Sequence, residues 1–82
     1  LVEEKLAACV QLLPIESFFS WEGKVRHEGE VLLFIKTRTA LFDAAMRAIQ
    51  AAHPYTVPEI VGWPFSAGHP PYLDWITEAT SG

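Results

Sequence analysis

The chain changes its hydrophobic period several times over 82 residues, and each change marks an element. Residues 1–8 place Leu1, Val2, Leu6 and Ala7 near one face, with Glu3, Glu4 and Lys5 outside, as at the end of a helix. That helix has no cap, so its start is expected ahead of residue 1. Residues 9–21, CVQLLPIESFFSW, then alternate as a strand: Cys9, Gln11 and Leu13 share one face, and Val10 and Leu12 the other. Pro14 has no N–H to give a ladder, so a bulge or break is expected there. Glu22-Gly23 is a turn signal, and residues 24–37 return as a second strand. Within it VLLFI is apolar on both faces, which predicts cover on both sides. One helical layer can supply only one of them.

Thr39 is placed to cap a helix running to about Ala52. Leu41, Phe42, Ala45, Ala48, Ile49 and Ala52 form its buried stripe. His53 falls in the last turn, and Pro54 stops the helix at or before it. Residues 57–63, VPEIVGW, read as a strand, with Pro58 favouring an edge position or a strand start. GHPPY reads as a loop, and Tyr72, Trp75, Ile76 and Ala79 give a short final helix. The predicted order is α–β–β–α–β–α. One strand ahead of residue 1 would turn it into the β-α-β-β-α-β order of a ferredoxin-like α+β sandwich with an extra C-terminal helix.

Composition narrows what such a domain does. Eighty-two residues make one small domain, here residues 1–82, with limited core. Cys9 is the only cysteine, so no intrachain disulfide supports it. Half the residues are hydrophobic, and the hairpin arms exceed ten residues against a usual five to six or so. Both features predict a neighbouring subunit. The net charge of −4 and the scattered six Lys and Arg argue against nucleic-acid binding. No apolar run approaches the roughly 20 residues of a membrane span, so no membrane insertion is expected.

The stretches LVEEKLAACV (1–10), SFFSWEGKV (17–25), EVLLFIKT (30–37), HPYTVPEI (53–60) and PYLDWI (71–76) resemble the CutA family of divalent-cation tolerance proteins. The resemblance covers most of the chain in the family's order. It implies a ferredoxin-like fold, a homotrimer similar in outline to PII signalling proteins, and a cytoplasmic protein that responds to copper and other divalent cations. It implies no catalytic reaction and no tightly bound cofactor, with Cu(II) or another divalent cation as the ligand. It also implies ligand clefts between subunits, for which Trp21, Lys36, Tyr55 and Glu59 are the candidate residues. Copper ligation in the family is attributed in part to a cysteine on the first strand; Cys9, after the first helix, is not that residue.

Taken by their chemistry, His53 and Glu59 are the metal candidates. His53 is either a cationic side chain favoured at a helix C-terminus or an imidazole ligand. Glu59 lies between Val57 and Val61, and a carboxylate on an apolar face must be paired or wet. It is either an ion-pair partner of Lys36, Arg38 or a neighbouring chain, or an oxygen ligand or general base. Two ligands fall short of the four of a tight structural site. Cys9 reads as a small buried residue, and His27, among Arg26, Glu28 and Glu30, as a solvated one. No nucleophile elbow and no phosphate loop is present. The rivals to a cation-binding trimer are an interaction scaffold for a protein partner and an enzyme using Glu59 and His53 on a small molecule.

Overall fold

The computed structural model describes residues 1–54 and 57–82. Strand β1 (Cys9–Trp21) and strand β2 (Lys24–Lys36) form one antiparallel hairpin. Their register is unbroken over thirteen pairs, from Cys9↔Lys36 at the base to Trp21↔Lys24 at the tip. The bulge expected at Pro14 is absent, since Pro14 pairs with Val31 in register. In a two-stranded ribbon every second residue turns its N–H away from the partner, and proline is tolerated there. Glu22 (φ 52°) and Gly23 (φ 77°) are both left-handed, as a two-residue type I′ turn requires.

A 3₁₀ turn (Thr39–Leu41) leads into helix α1 (Phe42–Ala52). Thr39 does not cap α1: it sits inside the 3₁₀ turn, and the side chain at neither helix start makes a capping bond. Only Ala45 of the apolar stripe is fully buried. His53 lies just past the last turn rather than in it, with extended backbone (φ −85°, ψ 139°) and its N–H on the Gln50 carbonyl. The following Pro54 forces that conformation by crowding the helical one.

Residues 57–63 form no strand, which corrects the expectation for VPEIVGW: among the described residues the hairpin pairs only with itself, and a strand needs a ladder partner. Gly62 passes close to α1, where an added Cβ would lie 3.3 Å from the Phe42 ring. Helix α2 (Pro70–Ala79) begins at the Pro pair instead of after it. The first turn of a helix leaves its N–H groups unbonded, so prolines cost little there.

Residues 2–5 make a turn rather than a helix. Its bonds, Leu6 N–H to Leu1 carbonyl (3.0 Å) and Lys5 N–H to Val2 carbonyl (3.1 Å), with Lys5 at φ 60°, have the pattern of a Schellman helix end. The reading of residues 1–8 as a helix terminus is thus matched in its last turn. That turn joins the hairpin base: Ala8 N–H donates to the Lys36 carbonyl (2.8 Å), and Thr37 Oγ1 to the Leu6 carbonyl (2.7 Å). Arg38 ties in α2, donating from Nε to Thr80 Oγ1 (2.8 Å) and from Nη2 to the Thr80 carbonyl (3.0 Å). The buried core, Ala7, Ala8, Ala45, Ile76 and Thr80, is small.

Candidate functional site

The hairpin register sorts side chains into two faces. Cys9, Gln11, Leu13, Ile15, Ser17, Phe19 and Trp21 share one face with Lys24, Arg26, Glu28, Glu30, Leu32, Phe34 and Lys36. On the other lie Val10, Leu12, Glu16 and Phe18 with Val25, His27, Val31, Leu33 and Ile35. Phe18 and Phe19 therefore point oppositely, as their adjacency predicts. Phe19 is half-buried, while Phe18 is 71% exposed.

A cleft of about 400 Å³ sits at the hairpin tip, between Phe19, Trp21, Glu22, Arg26 and Glu28 on one side and Pro54 and Val57 on the other. The segment after α1 thus reaches the tip, and Trp21 is on the cleft wall. Tyr55 lies outside the described residues. Lys36 is at the opposite end of the ribbon. Twelve residue steps along β2 separate it from Lys24, the partner of Trp21, which at ~3.4 Å per step is about 40 Å. Within one chain, Trp21 and Lys36 cannot share a cleft. Lys36 Nζ instead hydrogen-bonds Gln11 Oε1 across the strands.

Glu59 is exposed, so the apolar strand face that would have demanded a partner for it does not exist. It forms no ion pair with Lys36, Arg38 or any other described residue; Arg38 is committed to Thr80. His53 is half-buried at the end of α1. No group of three or more His, Cys, Asp or Glu side chains converges among the described residues. No described helix is long and apolar enough to cross a membrane. Cys9 is half-buried.

A second groove, about 540 Å³, is apolar. Ile35, Phe42, Met46 and Ile49 line one wall and Ile60, Trp63, Phe65 and Leu73 the other. On the far face of the hairpin arm is a cluster that the sequence reading passed over. His27 stacks on Phe18 and bonds Glu16, not the Arg26, Glu28 and Glu30 around it in sequence. Counting back from the Glu22-Gly23 turn would have placed Phe18 opposite His27 and Glu16 diagonal to it.

This architecture and these stretches belong to one class of small α/β proteins linked to divalent-cation tolerance. The CutA1 divalent ion tolerance protein family matches residues 1–79, and the chain belongs to that family. It is 48% identical to the divalent-cation tolerance protein CutA of Thermus thermophilus over 98% of this chain and 79% of that protein. It is 44% identical to mouse protein CutA, over 96% of this chain but 45% of the mouse protein, so it spans under half of that longer relative. Among solved structures, the periplasmic divalent cation tolerance protein CutA from Archaeoglobus fulgidus superposes with a TM-score of 0.95 at 42% identity, covering 98% of this chain and 78% of that one. The Thermus thermophilus structure gives 0.93 at 47% identity, covering 98% and 79%.

Proposed function

We propose that the protein is a cytoplasmic homotrimer that binds divalent cations, Cu(II) foremost, in clefts between subunits, and acts by binding rather than catalysis. The observation that carries this reading is the separation of Trp21 from Lys36 at opposite ends of one long hairpin. Residues that the family resemblance assigns to one cleft meet only if the tip of one copy reaches the base of another. The accessible surface supports the same reading. A compact monomer of 9.2 kDa exposes about 4,900 Å², whereas this chain exposes 6554 Å². The excess is of the size that stable interfaces bury.

In this reading residues 1–82 are a single ferredoxin-like domain. His53 and Glu59 are the proposed metal ligands, with Glu59 available because no described cation holds it.

Calorimetric titration of the intact protein with Cu(II) tests the reading. Glu59→Gln removes a charged oxygen ligand and should weaken binding at least about tenfold, or 1.4 kcal/mol. A Glu59→Gln protein that binds Cu(II) unchanged but assembles less stably would assign Glu59 to an intersubunit ion pair instead.

A further inference from the structure

One polar pair interrupts the apolar far face of the hairpin arm. Leu12, Phe18, Val25 and Val31 stand on that face 68%, 71%, 80% and 58% exposed. The only charged side chains among them are Glu16 and His27; Lys24, Arg26, Glu28, Glu30 and Lys36 project from the other face. The two are joined diagonally across the strands, with His27 Nε2 3.0 Å from Glu16 Oε1. The imidazole also lies flat on the Phe18 ring, with centroids 4.2 Å apart and planes within 5°. Such stacking suits a cationic imidazole, because the face of an aromatic ring is negative. In the single chain both groups are open to water, His27 half exposed and Glu16 more so.

We propose that a second copy of this chain covers this face, and that the Glu16–His27 pair makes the contact pH-dependent: the subunits hold together with His27 protonated and loosen as it loses its proton. The proposal rests on the assembly read above. Area names the occupant, because the surface this chain exposes beyond that of a compact monomer matches what a stable interface between subunits buries. The pair sets the pH response. Covering the face takes both groups out of water. With His27 protonated they form a neutral ion pair with a charge-assisted bond. With His27 neutral, the Glu16 carboxylate is an uncompensated charge, which burial penalises. The covered face therefore favours the protonated imidazole, and assembly takes up a proton. Its strength is full where the free chain is already protonated, and is lost as the pH rises through the imidazole range at about pH 6.5. Of the strands around His27, β1 offers Glu16 and β2 no other charged group on this face. The charged groups at the base of a neighbouring copy, Glu3, Glu4, Lys5, Lys36 and Arg38 among them, are of types that keep their charge over that range.

Sedimentation equilibrium of the intact protein at about pH 6 and about pH 8 brackets that range. A chelator in the buffer keeps divalent cations out, so the result does not depend on metal binding. The subunit dissociation constant should rise at least about tenfold at the higher pH. Where the assembly is too tight to dissociate on dilution, the urea midpoint of the assembled protein reads the same difference. In His27→Gln the pH difference should vanish. Glu16→Gln leaves a protonated imidazole without its counter-charge, so the dependence should change sign and assembly should tighten as the pH rises. A hydrogen bond that merely braced the strands would produce no such reversal. Both positions are exposed in the single chain, so circular dichroism should show both variants folded. An assembled parent of pH-independent affinity, a His27→Gln protein that keeps the parent's dependence, or a Glu16→Gln protein that keeps its sign would overturn the switch and leave the assembly standing. A folded monomer at both pH values would overturn the assembly and the switch with it.

Discussion

The two ends of the hairpin obey different physics. At the base, strand ends, the Lys5 turn, α1 and α2 close on one another. Ile76 is 3% exposed and Thr80 4%, and Arg38 binds Thr80 through two donors. Along the arm, large apolar side chains stand in water: Phe18 is 71% exposed, Val25 80% and Leu12 68%. A chain with this little core would not keep a long apolar ribbon extended on its own account. The radius of gyration of 14.9 Å, against about 11.7 Å for a compact chain of this length, reflects that arm. The base holds the chain together, and the arm leaves its apolar side chains open.

Substitutions at the two ends should separate the roles. The largest effect is expected on the arm. Phe34, 44% exposed in the single chain, lies on the cleft face of β2. Phe34→Asp would bury an unpaired carboxylate at an interface, costing several kcal/mol on the usual scale for such groups. Gel filtration should then show loss of the assembly, whereas an assembled protein of unchanged melting temperature would place Phe34 outside any interface. At the base, Ile76→Ala should cost about 2–5 kcal/mol by denaturant titration without changing subunit stoichiometry in the fraction that stays folded. Arg38→Ala frees the buried Thr80 from two charge-assisted bonds and should cost about 1.5–3 kcal/mol in the same assay. The smallest effect is at the tip. Glu22 occupies a left-handed position that asparagine fills with less strain. Glu22→Asn should raise stability by a few tenths to about 1 kcal/mol, measured as a shift in the urea midpoint.

The hairpin was readable from sequence because alternation and the Glu22-Gly23 turn agree. Together they fix both strands and, by counting, the register. The two helices followed from their apolar stripes and from Pro54. What escaped depended on partners. VPEIVGW has strand composition, but a ladder needs a second strand, and the hairpin offers it none. Pro70 and Pro71 looked like loop because proline breaks helices, yet the same residues suit a first turn. Thr39 has capping chemistry, but a 3₁₀ turn intervenes before α1. For the site, residue types alone could nominate Trp21, Lys36 and Glu59. Choosing them by residue type ignored the register, which counting from the Glu22-Gly23 turn gives and which sets Trp21 and Lys36 a full hairpin apart. The Glu16–His27 pair was hidden by reading neighbours along the strand when the relevant neighbour is across it.

The account turns on whether the exposed arm is covered by copies of the same chain. Light scattering coupled to gel filtration measures this directly. The account predicts a single species of three times the 9.2 kDa chain mass at micromolar concentration. A folded monomer of 9.2 kDa under the same conditions would contradict it.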